Sequence, residues 1–185
     1  MRTVTSTTSL LLAAVAALAG CADETTLGPG EPQIIPAAAS VGADLGQCDN
    51  ISAAAGSILV LHAYAKGVQK YEWTGTWTPR GPSATLYADA QYTGVIGTHF
   101  GGPTWKSNSG SSVVGQLNTP CEVGADDIPW LLLDGIRSNG PGIFEGITSI
   151  QRVNTAGGRA PTAPGSLGEM RNVPYTAEYF FYRAR

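Results

Sequence analysis

One short stretch of the sequence carries polar side chains where a β core is expected. The stretch is GITSIQRVN, residues 146–154. As a strand it would place Arg152 and Asn154 on one face and Gln151 on the other. Buried Gln and Arg side chains need partners, either within the protein or on a ligand. The sequence leaves two interpretations open: a network to loop carbonyl groups or Glu178, or a ligand site.

A second stretch, GTHFGGPTW at residues 97–105, concentrates a histidine, a glycine pair, a proline and a tryptophan. We interpret it as a strand that ends near His99, after which the chain reverses at residues 101–103. Glycine permits positive φ, and proline fixes its own φ angle and lacks a backbone N–H donor, so together they allow a sharp reversal. Trp105 would then fold back over the strand end. We expect a structural turn, with His99 hydrogen-bonded to protein near a rim of the fold. A rim position beside a tryptophan is also a natural place for a ligand contact.

These two stretches supply most of the candidate ligand-binding residues. Planar polar groups beside Trp105, Tyr175 and Trp130 are what a carbohydrate or other small polar ligand would meet. Trp and Tyr also fill β cores while keeping one polar atom at the edge of the core. The aromatic residues alone therefore do not distinguish a ligand site from core packing. The ligand-binding candidates are His99, Trp105, Gln151, Arg152, Asn154 and Tyr175.

No motif assigns a catalytic residue, a cofactor or a metal site. The chain lacks a G-x-G-x-x-G turn that opens a helix, a phosphate loop and a G-x-S-x-G elbow. Its two histidines, His62 and His99, have no H-x-H or H-x-x-x-H partner. An acid and base drawn from Glu72 or Glu178 with His99 would have to converge in three dimensions.

The elements that must position these residues are strands, because the dominant hydrophobic period is two. We expect an all-β, single-domain antiparallel β-sandwich or barrel with short connecting loops. A turn at Lys66 and Gly67 is predicted to separate the first two strands into a hairpin. IPWLLLDGI is too short to distinguish a buried strand from one or two turns of helix. The predicted strands are SILVLHAYA, VQKYEW, ATLYA, TGVIGTHF, SSVVGQLN, GITSIQRVN and TAEYFFYR.

The N-terminal region has the composition of an export signal followed by a tether. Residues 1–20 hold one charge before the apolar run LLLAAVAALA, which is too short to be a permanent membrane span. The run ends in LAGC, which looks like a bacterial lipobox, so we predict lipidation of Cys21. Residues 21–47 are rich in Pro, Gly and Ala and predict a flexible linker. The folded domain is expected at residues 48–185.

Cysteine usage and charge limit the partners of this domain. With Cys21 lipidated, Cys48 and Cys121 remain in an exported chain, where disulfides persist, and we predict that they bond to each other. The 185-residue chain has a net charge of −3 and no basic cluster. We therefore expect no nucleic-acid partner.

Several motifs follow one another in a specific order: GVQKYEW, ATLYAD, GTHFGGPTW, VVGQ, IPWLLLD, GIFEGITSIQRVNTAGG-RAP and VPYTAEYFFYR. This series resembles the DUF3455 family of exported proteins of unknown function. The resemblance covers about residues 48–183 and implies no catalytic residue. It also implies a cysteine, in many members, at the position of Trp73 and a second one after the G-G-x-A-P segment, where this chain has Ala163, Pro164 and Gly165.

Two functions from different classes fit these observations. The favoured one is a cell-envelope lipoprotein, at the outer membrane or cell surface, that displays a non-catalytic β domain for binding or interaction. The alternative is a small extracytoplasmic hydrolase or lyase acting on a carbohydrate or other small polar substrate. A carboxylate close to His99 in a cleft would favour catalysis, whereas scattered polar groups in an aromatic groove would favour binding.

The lipobox interpretation predicts how the chain is held at the membrane. Replacing Cys21 by Ser removes the thiol that would carry the lipid, and the several acyl chains of a bacterial lipoprotein bind membranes far more firmly than one chain does. We expect the Cys21→Ser protein to move from the membrane fraction to the soluble fraction, as measured by fractionation and immunoblotting. Unchanged membrane association would contradict the prediction.

Overall fold

Eight antiparallel strands form a closed barrel in the computed structural model, which describes residues 42–185. Each strand pairs with the next in sequence, and the last pairs with the first. The all-β prediction is confirmed, and the architecture is the barrel rather than the sandwich. The predicted signal and Cys21 lie outside the described residues. The strands are β1 (Ile58–Trp73), β2 (Trp77–Tyr87), β3 (Val95–Phe100), β4 (Thr104–Ser107), β5 (Ser112–Cys121), β6 (Trp130–Asn139), β7 (Ser149–Gly157) and β8 (Met170–Arg183), preceded by a 3₁₀-helix at Asp49–Ile51.

Alternation along each strand separates the barrel interior from the outer surface. On β8, Tyr175, Tyr179 and Phe181 belong to the main core, whereas Phe180 and Tyr182 belong to a second cluster. Aromatic rings therefore fill much of the interior, where large side chains remove the most apolar surface from water. The other buried members of the main core are Ala63, Ala65, Ala84, Leu86, Trp105, Val113, Ile128, Leu133, Phe144, Ile147, Ile150 and Ala177.

The predicted hairpin at Lys66 and Gly67 is wrong, because β1 runs without interruption through both residues. Gly67 lies opposite Ala84 of β2, and a Cβ atom at this position would be 2.2 Å from the carbonyl oxygen of Ser83. The glycine therefore allows close contact between two strands instead of a turn. The chain reverses later, where the backbone N–H of Thr74 donates to the carbonyl oxygen of Thr76.

The remaining strand predictions differ from the structure mainly in length and number. The ambiguous IPWLLLDGI segment contributes to strand β6, and a short strand that the sequence did not indicate, β4, follows the turn at residues 101–103. Backbone and side-chain hydrogen bonds connect the segment around Trp73 to residues 163–169. Trp73 exchanges backbone hydrogen bonds with Gly168 and Glu169, and the Trp77 indole donates to the carbonyl oxygen of Ala163.

The segment before β1 packs on the outside of the barrel and forms the second cluster. Its buried residues Cys48 and Ile51 contact Val153, Phe180 and Tyr182, and other apolar side chains pack against this cluster, including Ala43 and Leu45. Packing therefore begins a few residues before the boundary expected at Cys48. Within residues 42–185, no helix has the length and hydrophobicity needed to cross a membrane.

A disulfide between Cys48 and Cys121 joins this segment to the end of β5, which confirms the predicted pairing. The two cysteines are 73 positions apart, so the bond closes a long loop. Nearby, the Asn50 side chain donates to the carbonyl oxygen of Pro120. The covalent bond and the apolar cluster hold the same segment against the barrel.

Removing the disulfide tests its contribution to stability. On the chain-entropy model, a loop of this length stabilises the fold by about 4 kcal/mol. We expect the double variant Cys48→Ser/Cys121→Ser to lose about this much in urea unfolding, and reductant to have no further effect on it. An unfolding free energy equal to that of the unsubstituted chain would contradict the prediction.

Candidate functional site

A cavity of about 210 Å³ lies at the end of the barrel where the turn at residues 101–103 joins β3 to β4. Its lining combines apolar side chains with a histidine, a tyrosine and one charged residue. Side chains and turns from β2 to β8 contribute, so barrel closure determines its shape. The lining residues are Gly81, Pro82, His99, Gly102, Pro103, Trp105, Leu117, Leu131, Leu133, Arg152 and Tyr179.

His99 and Trp105 form one wall of the cavity as a stacked pair. They lie directly opposite each other on β3 and β4, and their rings are 4.3 Å apart and inclined by 7°. The His99 Nδ1–H donates to the carbonyl oxygen of Thr104 at 3.0 Å. The structural turn and a hydrogen bond from His99 to protein are thus present. His99 lies near the end of β3, next to the turn, but its side chain is buried, with only 3% of its surface exposed.

Burial keeps the His99 ring neutral. Desolvation lowers its pKa from 6.5 to about 3, and the positive charge of Arg152 acts in the same direction. The hydrogen bond to the carbonyl oxygen of Thr104 opposes this shift but does not cancel it. A carbonyl oxygen can only accept, so the proton of the neutral ring is on Nδ1 and Nε2 is left as an acceptor.

The Trp105 indole needs a specific gap in the next strand. A Cβ atom at Gly115 of β5 would be 2.9 Å from the Cζ3 atom of the indole, closer than packed carbon atoms allow. Tyr179 closes the other side, with its ring 5.3 Å from the indole in an edge-to-face arrangement. Glycine at residue 115 therefore lets Trp105 lie flat against His99.

Arg152 lies in the same layer of the barrel because of strand register. Its position on β7 is directly opposite Leu131 on β6 and Tyr179 on β8. The guanidinium Nε and Nη2 groups donate to the carbonyl oxygen of Pro129 at 3.1 and 2.7 Å. Among residues 42–185, no carboxylate forms an ion pair with Arg152. It is also the one charged residue in the cavity lining.

Several buried polar atoms around the cavity have no hydrogen-bond partner in the described part of the chain. They include the Trp105 Nε1–H and the hydroxyl groups of Tyr175 and Tyr179. Tyr175 and Arg152 lie beside the Tyr179 hydroxyl, but neither reaches hydrogen-bonding geometry. Burial raises the pKa of Tyr179, although the Arg152 charge partly offsets this effect. The hydroxyl therefore stays protonated and can donate.

Three of the six predicted ligand-binding residues, His99, Trp105 and Arg152, line the cavity, and three do not. Gln151 lies under the N-terminal segment, donates to the carbonyl oxygen of Ile51 and accepts from the Tyr182 hydroxyl. The amide group of Gln151 is therefore hydrogen-bonded to protein, as the interpretation of a network within the protein predicts.

Asn154 and Tyr175 also lie outside the cavity lining. Asn154 is exposed and donates to Glu178 at 3.1 Å. Tyr175 is buried in the barrel interior with its hydroxyl unpartnered. Trp130 contributes to the second cluster on the outside of the barrel.

The acid and base considered from the sequence do not meet. Glu178 accepts from the ring of His62 at 2.7 Å on the outer surface, and Glu72 forms an ion pair with Arg80. The pairing of His99 with either glutamate is therefore wrong, since His99 bonds to a backbone carbonyl group. Within residues 42–185, no three His, Cys, Asp or Glu side chains converge to hold a metal ion.

The sequence interpretation did not identify Tyr179 and the leucines of the lining. Tyr179 shares the parity of Tyr175 in the pattern YTAEYFFYR, which could have placed both inside the barrel. Leu131 and Leu133 belong to the continuous apolar run that periodicity could not resolve. Their inward direction follows from pairing with β5 and β7, which the sequence does not specify.

Comparison with known proteins adds the family but no activity. The family model described as a protein of unknown function, DUF3455, matches residues 53–183. Searches of curated proteins and of solved structures gave no match. The matched segment contains all eight strands and every residue of the cavity lining.

The buried neutral His99 predicts a specific loss of stability in acid. Between its unfolded pKa of 6.5 and its folded pKa of about 3, the unfolded state binds a proton that the folded state does not. His99 should therefore destabilise the fold by about 1.4 kcal/mol for each pH unit below 6.5. We expect His99→Asn to weaken the pH dependence of urea unfolding between about pH 7 and pH 4.5.

The matched control is His62→Asn, which removes the half-buried histidine of the outer surface. It should keep the steep loss of stability that His99 causes. Equal pH slopes for the unsubstituted chain and for His99→Asn would show that His99 is not buried as a neutral ring.

Proposed function

The chain belongs to the DUF3455 family, whose function is unknown, and we propose that its barrel is a non-catalytic binding module for a small ligand. The ligand would occupy the cavity beside His99 and Trp105. The observation that carries this proposal is that two residues lining the cavity, Trp105 and Tyr179, each have a buried polar group without a partner in the described residues. Buried polar groups are nearly always hydrogen-bonded in native proteins, so unpartnered ones at a cavity favour an absent ligand or water.

The size and lining of the cavity favour a compact and partly apolar ligand. A cavity of about 150 Å³ lined by apolar side chains can hold benzene. The cavity here is about 210 Å³, which leaves room for one ring and a polar substituent. Leucine and proline side chains make up much of the lining, which suits such a molecule better than a sugar with hydroxyl groups on every side.

The chemistry of the lining favours binding over hydrolysis or elimination. None of the lining residues carries a carboxyl group, and the His99 ring is neutral with a pKa of about 3. General acid–base catalysis near neutral pH works best with a group that titrates near that pH and has a partner in reach. Arg152, Tyr179 and Trp105 instead provide hydrogen-bond donors, which suits recognition.

The setting of the module is an envelope lipoprotein tethered through Cys21. The apolar run that ends in LAGC supports this part of the proposal, and so does the Cys48–Cys121 disulfide, because such bonds persist in oxidising compartments. Residues between the lipid and the barrel would hold the cavity away from the membrane surface. The module would then bind molecules outside the cytoplasm.

Blocking the cavity tests the binding function. Leu117 lines the mouth and is 55% exposed, so Leu117→Trp should narrow the opening without disturbing the core. Ile136→Trp is the matched control, because Ile136 is equally exposed and does not line the cavity. Thermal unfolding of the full chain would be followed with benzoate, benzamide, cyclohexanol and glucose.

We expect at least one ring-sized probe to stabilise the unsubstituted protein. A ligand of the native state at about 100 times its Kd adds about 2.7 kcal/mol. Leu117→Trp should abolish this effect, and Ile136→Trp should preserve it. Stabilisation that survives Leu117→Trp would show that the cavity is not the binding site, and the absence of any stabilisation would contradict the proposal for this ligand class.

A further inference from the structure

We propose that the ligand is a monocarboxylate with an apolar body of about one ring, and that Arg152 pairs with its carboxylate group. This inference rests on the proposed function and specifies the chemistry of the same cavity. It follows from the charge of the lining, the positions of the donors and the space beside them.

The charge of the lining is unbalanced. Arg152 is half-buried beside leucines and aromatic rings, and no carboxylate of residues 42–185 pairs with it. A cation removed from water without a counter-ion is costly, so a bound anion would relieve this cost. One positive charge balances one negative charge, which favours a monoanion over a doubly charged phosphate ester.

The donors suit a planar carboxylate. A guanidinium group has five N–H donors, and the carbonyl oxygen of Pro129 accepts from Nε and Nη2 of Arg152. The remaining donors of the fork can bind one or both oxygens of a carboxylate. Tyr179 is directly opposite Arg152 in the strand register, and its hydroxyl lies beside the Arg152 and Tyr175 side chains without a hydrogen-bond partner within the described residues. It supplies a second donor beside the first.

The rest of the cavity is suited to an apolar body. Leu117, Leu131 and Leu133 line it, and the stacked rings of His99 and Trp105 form a flat wall. Offset stacking and edge contacts with such rings favour a ring on the ligand. A carboxylate without an apolar body, such as acetate, would leave this surface without contacts.

Comparison of matched probes tests the inference on the unsubstituted full chain. Benzoate and benzamide have nearly the same shape and differ in charge, and acetate lacks the ring. We expect titration calorimetry at about pH 7 to give a Kd for benzoate at least about tenfold lower than for benzamide, because hydrogen bonds to charged groups are the stronger ones. Acetate should bind at least about tenfold more weakly than benzoate.

Substitution of Arg152 is the second part of the experiment. Arg152→Gln keeps a polar side chain without charge and should weaken benzoate binding about tenfold, while benzamide binding changes by less than about twofold. The matched control is Arg137→Gln, because Arg137 is exposed on β6 and does not line the cavity. It should leave both affinities unchanged. If Arg152→Gln does not fold, the comparison of benzoate with benzamide on the unsubstituted chain tests whether the cavity prefers a carboxylate.

The outcomes separate this inference from the proposed function. Equal affinities for benzoate and benzamide, both abolished by Leu117→Trp, would overturn the carboxylate and leave the binding function intact. Tighter binding of phenyl phosphate than of benzoate would overturn the carboxylate in favour of a phosphate group. Binding of none of the probes, or binding that Leu117→Trp does not affect, would overturn the proposed function itself.

Discussion

Pairing between β1 and β8 closes the barrel and determines which side chains meet in its interior. The two strands pair from Ile58 with Arg183 to Glu72 with Met170, so neither has a free edge. Closure fixes which residues face inward on every strand and brings distant parts of the sequence into one layer. Arg152 and Tyr179 are neighbours because β7 pairs with β8, and closure brings the stacked His99 of β3 close to Tyr179.

The protein satisfies some buried polar groups by itself and leaves others without a partner. Gln151 bonds to the Ile51 carbonyl oxygen and to Tyr182, and the Tyr71 hydroxyl donates to the Gly158 carbonyl oxygen. These hydrogen bonds hold neighbouring segments against the barrel, and this structural role accounts for the burial of the polar groups. The Tyr179 hydroxyl and the Trp105 Nε1–H have no such role, and both residues line the cavity. Gln69, Ser149, Arg159 and Tyr175 also have an unpartnered buried atom but do not line the cavity, so the position of Tyr179 and Trp105 at the cavity makes them the candidate ligand contacts.

Much of the fold could be predicted from alternation, and the errors have physical causes. Residues 63, 65, 69 and 71 all face the barrel interior, so the inside–outside alternation continues unchanged across Gly67. A two-residue hairpin at Lys66 and Gly67 would have reversed this alternation and directed Lys70 inward. The unbroken alternation favours one long strand. The turn was predicted instead because a lysine followed by a glycine is typical of a turn. The site was predictable only in part, because the partners of Arg152 and Gln151 are Pro129, Ile51 and Tyr182, which are distant in the sequence. Which face of β7 borders the cavity depends on barrel closure.

Binding of a carboxylate ligand in the cavity beside Trp105 can be followed through the indole N–H signals in a proton–nitrogen correlation spectrum. The chain has four tryptophans, and Trp105→Phe identifies the signal of the one that lines the cavity. During addition of benzoate, we expect a saturable shift of the Trp105 signal, with those of Trp73 and Trp130 unchanged. A Trp105 signal that stays fixed while benzoate binds, or shifts confined to the other indoles, would show that benzoate does not occupy this cavity.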